Sequence, residues 1–277
     1  MTLHVLATPL GNLDDLSPRA RDVLANAALV ACEDTRRTSK LLARYGIEVP
    51  LIALHKFNER ERLEPVLTVL RRGEDVALVS DGGTPGIADP GALLVAAALD
   101  AGLRVSPVPG PSAVIAILSA SGLPSDRFTF EGFLPARGGE RRRRLRELSE
   151  LDHAWVFYEA PHRIRETLAD VDEIFGDRRL VLGRELTKLH ETILRGTAKE
   201  LLAALAQDVK GEIAVAVAPF DGSAPARADD GLEQAWKEAV AASGGDSRAA
   251  LKDAARRTGL KKAELWRRLL ERRLVRG

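Results

Sequence analysis

Short aliphatic runs alternate with longer stretches of helical periodicity along most of the chain, and this alternation limits the fold more than any other feature. The strand-like runs are Leu3–Thr8, Ala28–Cys32, Asp75–Ser80, Leu103–Val108, Ala154–Glu159, Arg179–Arg184 and Glu212–Ala218. Between them Ser17–Asn26, Thr35–Tyr45, Glu59–Arg72, Pro90–Ala101 and Pro161–Phe175 carry apolar residues at helical spacing. Strands that are apolar throughout, each followed by a helix, predict parallel strands buried on both faces under two helical layers. Ser17-Pro18 marks the first helix start, a Ser cap followed by Pro at the first helical position. With aromatics at only 4%, the core must be aliphatic.

Two stretches break the alternation. Ser119–Arg127 is rich in small residues and turn formers, and reads as a hinge between two α/β domains, 1–119 and 120–220. Phe220–Gly231 has the composition of a linker. Beyond it, residues 231–277 hold four Lys and eight Arg against four Glu and two Asp, a net of +6. The whole chain carries +1, so residues 1–230 carry −5. Ser247–Thr258 and Lys261–Arg273 read as amphipathic helices joined at Thr258-Gly259-Leu260, the outline of a helix-turn-helix. A solvated helical tail that packs or dimerises is the alternative.

A nearly neutral chain is no general polyanion binder, which leaves local basic patches. A single cysteine, Cys32, excludes an intramolecular disulfide framework and a Cys-based zinc ribbon. No His pair has metal-ligand spacing, so no metal site is expected. No apolar run approaches the ~20 residues of a membrane span. Met1–Pro9 lacks the basic and apolar regions of a secretory signal, and the expectation is a cytoplasmic protein.

Open α/β sheets bind ligands at the carboxyl ends of their strands. Three such ends carry Gly/Pro-rich turns: Thr8-Pro9-Leu10-Gly11-Asn12, Ser80–Gly91, and Pro109-Gly110-Pro111-Ser112-Ala113. Each taken alone is a turn; three in register let backbone approach one ligand closely. Pro111 and Ser112 lead into a helix N-terminus, suited to a carboxylate or phosphate. There is neither a G-x-G-x-x-G nor a G-x-x-x-x-G-K-[ST], which argues against a Rossmann dinucleotide site and a P-loop.

Ala7–Leu13, Cys32–Thr38, Ser80–Gly91, Val108–Ala113, Glu131–Pro135, Phe157–Arg163 and Gly183–Glu191, in this order and spacing, resemble the tetrapyrrole-methylase family over about residues 3–219. More narrowly they resemble its branch acting on small-subunit ribosomal RNA, some members of which append a helix-turn-helix. The resemblance implies two α/β domains with S-adenosylmethionine (SAM) in the cleft between them. It implies 2′-O-methylation of a cytidine ribose in the decoding region of 16S rRNA, with the small ribosomal subunit as partner, and a homodimer. Carried over position by position, the cofactor contacts are Pro9, Leu10, Gly11, Asp81, Gly82, Gly83, Thr84, Pro85, Ser112 and Ala113, with Tyr158, Ala218 and Pro219 from the second domain. The opening loop here is Pro-Leu-Gly-Asn where porphyrin-modifying members have Gly-x-Gly-Pro-Gly-Asp, a difference that favours RNA over a precorrin.

Methyl transfer from a sulfonium is an in-line displacement governed by alignment, and a ribose hydroxyl benefits from a positioned base. Ionisable candidates are Glu33, Asp34, His55, Glu59, Glu159, His162, Glu185, Lys188 and Glu191, with Glu159 and Glu185 foremost because each ends a strand. A carboxylate paired with a neighbouring Arg is the structural alternative at each. For RNA phosphates, Arg36, Arg37 and the run holding Arg141, Arg142, Arg143 and Arg144 are the candidates, six Arg standing within Arg137–Arg146 beside one Glu. A solvated helix face is the competing reading of that run. Two rival functions remain: another methylase of the family acting on a precorrin or a histidine derivative, and a non-catalytic nucleic-acid binder working through the tail. A small tetrapyrrole gives no reason for the Arg run, and the second rival leaves the α/β domains without a role.

Overall fold

The fold is that of a computed structural model of the chain, which describes residues 1–222, 226–244, 246–258, 260, 262–271 and 274–275. Its first half runs β1 (Leu3–Leu6), α1 (Pro18–Asn26), β2 (Leu29–Cys32), α2 (Thr35–Arg44), β3 (Leu51–Ala53), α3 (Glu59–Arg71), β4 (Val76–Leu78), α4 (Ala92–Asp100), β5 (Val105–Val108) and α5 (Ala113–Ser121). The strands form a parallel sheet in the order β3-β2-β4-β1-β5. Side chains alternate across it. Val30, Cys32, Ala77 and Val79 pack with α1 and α2, while Ala31, Val76 and Leu78 pack with α3 and α4. Ser17 Oγ accepts from the Ala20 N–H, and Pro18 opens α1, as the sequence predicts.

The second half contains β6 (Phe128–Phe133), α6 (Gly138–Leu148), β7 (Ala154–Glu159), α7 (Ile164–Phe175), β8 (Leu180–Arg184), β9 (Thr192–Gly196), α8 (Ala198–Ala204) and β10 (Ile213–Val217). Its sheet, in the order β6-β7-β10-β8-β9, departs from the all-parallel expectation. Only β6 and β7 pair in parallel, whereas β10 runs antiparallel to both neighbours and β9 folds back on β8. Ile213-Ala-Val-Ala-Val217 is buried on both faces because it is central. Burial makes a strand apolar throughout whichever way it runs, so composition carried no direction.

One face of this sheet holds the bulky core. Trp155 and Phe157, two residues apart and therefore on one face, stack at 5.3 Å and pack against Phe175 and Leu182. The opposite face presents Val156, Val181, Ala214 and Ala216, and α5 lies across it through Val114, Ile117 and Leu118. Burying aliphatic side chains of this size contributes ~1.5–3 kcal/mol each. The helix that follows the first sheet in sequence thus covers the second, and fastens the two halves together.

The tail comprises α9 (Ala226–Ala242), α10 (Ser247–Thr258) and α11 (Lys262–Glu271). Leu232, Trp236 and Ala239 of α9 meet Ala250 and Ala254 of α10, and Leu265 and Leu269 of α11, in a small aliphatic core. Much of the stretch read as a linker is therefore helix from Ala226 onward. Leu232 and Trp236, four residues apart, supply it with an apolar stripe. Residues 223–225 lie outside the described residues, as do Gly259 and Lys261 at the expected turn and Arg272 and Arg273 beyond α11. Among the described residues no helix is long and apolar enough to cross a membrane.

Candidate active site

The cleft forms where the carboxyl ends of β1, β4 and β5 face the end of β7 and the start of β10. Its loops are tied to one another before any ligand arrives. Thr8 and Gly83 exchange backbone N–H···O bonds of 2.9 Å each, Thr8 Oγ1 donates to Ser80 O at 3.0 Å, and Thr84 Oγ1 donates to Pro111 O at 3.3 Å. Gly82 runs so close to the first loop that a Cβ would lie 3.3 Å from Pro9 O, and Gly83 has φ +87°. The backbone at 83 therefore favours glycine, and a side chain at 82 would have to push the first loop outward. A further carboxylate fixes the far end of the 81–91 loop. Glu59, buried at the start of α3, accepts from Gly91 N, Leu93 N and Leu94 N at 3.0, 3.0 and 3.3 Å, capping α4 from a neighbouring helix.

These loops enclose a cavity of about 360 Å3. Leu10, Asp81, Gly82, Gly83, Thr84, Ser112, Ala113 and Tyr158, all named from the sequence, line it. Ala218 and Pro219 do not. Because β10 runs antiparallel to β7, its start lies at the cavity and its end at the opposite edge of the sheet, ~17 Å away over five residues. There Ala218 N bonds Arg179 O, and Phe220 N bonds Leu151 O. Glu212, Ile213 and Ala214 line the cavity in their stead. Pro9 and Pro85 sit buried behind the lining. Gly11 lies against Lys188 in a neighbouring open groove with Asn12 and Thr187. The sequence reading also passed over Ile87, Ala88, Asp89, Phe133 and Leu186. Asp89 could have been drawn from the Ser80–Gly91 string, but Phe133 and Leu186 arrive from elements whose arrangement only the fold sets.

The wall is acidic. Asp81 accepts the Asp34 N–H at 3.0 Å, with Arg37 Nε at 3.5 Å. Asp34 itself is held at about 2 by the Arg36 side chain and by its own capping of α2. Burial, with Asp81 close by, raises Glu33. Burial and then Glu33, Asp81 and Glu212 push the Asp89 carboxyl up to about 6. Tyr158, half-buried and facing Asp89, is pushed up to about 12 by burial and then by Asp89 and stays a phenol, its ring edge-on to Phe130 and Phe133.

Of the two carboxylates foremost in the sequence reading, Glu159 belongs to the cavity lining with its carboxylate sealed in the protein, and Glu185 lies outside it. Glu159 has a fully buried side chain that accepts from Thr167 Oγ1 at 2.6 Å and Ala160 N at 2.8 Å, with Arg163 Nε at 3.3 Å. It braces the start of α7. Glu185, with φ +54°, accepts from Lys188 Nζ at 2.8 Å and Glu212 N at 3.0 Å, outside the cavity lining. Lys188 holds its carboxyl below the ordinary value.

The arginine run is largely paired. Arg141, 4% exposed in its side chain, binds Asp170 at 2.7 Å, and Arg142 reaches the same carboxylate at 3.2 Å. Arg144 grips Glu131 with two nitrogens and also meets Glu147. Asp170 comes from α7 and Glu131 from β6, which a count along α6 does not see. Arg143 is exposed and makes no ion pair among the described residues. Arg36 is exposed beside Asp34, and Arg37 beside Asp81.

A cleft between two α/β domains, closed by three glycine-bearing strand-end loops and lined by carboxylates and apolar groups, defines a two-domain methylase class. The profile of the Tetrapyrrole (Corrin/Porphyrin) Methylases matches residues 2–202, and the chain belongs to that family of methyltransferases. Within it the chain is 56% identical, over 220 residues, to the ribosomal RNA small subunit methyltransferase I of Xylella fastidiosa, covering 78% of this chain and 81% of that one. The protein of the same name from Mesorhizobium japonicum is 46% identical over 273 residues, 97% of this chain and 91% of its own. Among solved structures, the Thermus thermophilus uroporphyrin-III C-methyltransferase complexed with S-adenyl homocysteine matches with a TM-score of 0.55 at 18% identity, over 78% of this chain and 96% of that one.

Proposed function

We propose that the chain transfers a methyl group from SAM to the ribose 2′-oxygen of a cytidine in the decoding region of 16S rRNA, cytidine 1402. The observation that carries the reading is the cavity itself, in a chain so close in sequence to the small-subunit methyltransferases. When bound, SAM supplies an electrophilic methyl on a positively charged sulfur. The lining fits such a molecule. Asp81 and Glu212 favour a cation, and Leu10, Ile87 and Ala113 offer apolar contact to a purine and its thioether chain. Ser112 begins α5 without a side-chain cap, so the first-turn N–H groups of that helix other than that of Val114, which meets Tyr158, are open to a carboxylate. Pro9, Gly11 and Pro85 shape the loops that present these groups.

For the RNA, Arg36, Arg37, Arg142 and Arg143 are the phosphate contacts in this reading, with the basic tail as a second surface. Arg141 and Arg144 organise α6. Domains of 1–119 and 120–220 with a helical segment over 231–277, a homodimer, and action in the cytoplasm where ribosomal subunits lie complete the proposal. Exposed Leu93 and Leu99 on α4 support self-association.

The test is transfer of labelled methyl from SAM to small subunits, naked 16S rRNA and a precorrin, using ribosomal material from cells lacking this protein. Label at a cytidine 2′-oxygen is the expected result. Label on the precorrin alone would overturn the RNA reading and keep the methylase.

A further inference from the structure

We propose that Asp89 is the general base of the reaction, receiving the proton of the acceptor hydroxyl within the cleft. The inference rests on the methyl-transfer reading above and assigns a step to a residue that the reading leaves without one.

Asp89 is singled out by comparison with the other carboxylates of the cavity lining, Asp81, Glu159 and Glu212, and with Glu59 and Glu185 beside it. Glu159 is sealed against Thr167 and Ala160, and Glu59 is spent on three N–H groups of α4. Asp81 is engaged by Asp34 N and Arg37, while Glu212 and Glu185 share Lys188 Nζ at 3.1 and 2.8 Å. Asp89 lines the cavity, has the Ser80 hydroxyl as a hydrogen-bond partner, and meets no cation among the described residues. A base must keep its lone pair available, and of the carboxylates that line the cavity this one meets no cation among the described residues and is not sealed by backbone.

The backbone holds it in place. The 81–91 loop is anchored at Gly83 by the exchange with Thr8 and at Gly91 by Glu59. Between the anchors Ala88 adopts φ +65°, a left-handed conformation that an L-residue enters only when its surroundings impose it. That turn sets the residue after it facing Tyr158 of the opposite domain.

Burial is the first cause that raises its carboxyl, joined by Glu33 at the end of β2, Asp81 after β4 and Glu212 before β10, against the Ser80 hydroxyl; Tyr158 on β7 faces it as a neutral phenol. Arg37 and Lys188 are paired with its neighbours Asp81 and Glu212. A carboxyl raised to about 6 is ionised at neutral pH yet more basic than an exposed aspartate. In the step, the acceptor oxygen forms a bond to the methyl carbon and the carbon–sulfur bond breaks with its electron pair left on sulfur. The hydroxyl proton passes to the Asp89 carboxylate. Tyr158, held as a phenol, does not compete for it.

The experiment compares full-length wild type with Asp89→Asn and Asp89→Glu. It reads single-turnover transfer to unmodified small subunits from pH 5 to 9, SAM affinity by calorimetry, and melting temperature. Asp89→Asn should lower the transfer rate by about 100-fold or more. Its SAM Kd should stay within about twofold, and the acidic limb near pH 6 seen in wild type should vanish. Asp89→Glu should recover part of the rate with a displaced limb. An unimpaired rate in Asp89→Asn, or a SAM Kd raised in step with the lost rate, would sink the assignment, the latter making Asp89 a cofactor contact. If Asp89→Asn does not fold, a folded Asp89→Glu with the wild-type limb would do the same. A wild-type chain that methylates no ribosomal acceptor overturns the underlying reading instead.

Discussion

Lys188 lies across Gly11 so tightly that a Cβ at position 11 would collide with its Cγ, Cδ and Cε atoms. From there its Nζ reaches Glu185 at 2.8 Å and Glu212 at 3.1 Å, while Asn12 N donates to Thr187 Oγ1 at 3.1 Å. One loop of each domain is thereby laid on the other, which places Leu10 in the cavity wall. The stem of Lys188 meets the added methyl, so Gly11→Ala must lift the side chain from its place.

Gly11→Ala should therefore weaken SAM binding by about tenfold, ~1.4 kcal/mol. Lys188→Ala should weaken it comparably, and the double variant should be no worse than Lys188→Ala. Calorimetric titration of the three against wild type reads the coupling directly. Additive losses would show that Gly11 acts on the cavity without Lys188.

Glu59 is the acceptor for three N–H groups at one helix start. Glu59→Ala should cost about 1–3 kcal/mol of stability, through orphaned donors at the α4 N-terminus. The urea midpoint should fall with the m-value unchanged. Because the same bonds anchor the 81–91 loop, SAM affinity should fall with it.

Arg141 and Arg143 are two residues apart in one basic run and should behave oppositely. Arg141→Ala leaves Asp170 buried with only Arg142, and should destabilise by about 2–3 kcal/mol. Arg143→Ala should leave the melting temperature unchanged and reduce the slope of log Kd against log salt for 16S rRNA binding. Equal effects of the two on RNA affinity in folded protein would show that burial does not separate them.

Asp89 also makes stability depend on pH. Its carboxyl rises from the ordinary 3.8 to about 6 on folding, so between those values the native state holds the proton and the unfolded chain does not. Stability contributed by this group is complete below about pH 4 and is lost as pH rises through 6. Asp89→Asn removes that loss, and should be more stable than wild type at pH 8 by about 1–2 kcal/mol, discounted for its partial exposure, and equal to it at pH 4. Thermal melts across this range check the sign.

Much of the site was legible because its loops are local. Thr8–Asn12, Ser80–Gly91 and Pro109–Ala113 each carry their own glycine and proline geometry, and their positions after apolar runs announce strand ends. Most of the residues these loops bring to the cavity wall are therefore among those read from the sequence. The second domain was less legible. Ala218-Pro219 ends its strand as the other loops do, but β10 runs antiparallel and carries it away from the cleft. The Arg run looked unpaired because Asp170 and Glu131 reach it from distant parts of the chain.

The amino-acid sequence by itself determined the strand and helix periodicity, the two α/β domains and the ligand loops of the first, since these follow from side-chain spacing and backbone conformation within short segments. Only the tertiary structure decided the direction of β10, the placing of α5 on the second sheet and which carboxylates face the cavity. The reason is physical: an apolar strand is equally well buried in either direction, and a charge is free or neutralised according to what packs beside it. Asp89 and Glu159 are the same functional group at loop or strand end, and what separates them is that Thr167 and Ala160 close over one and not the other.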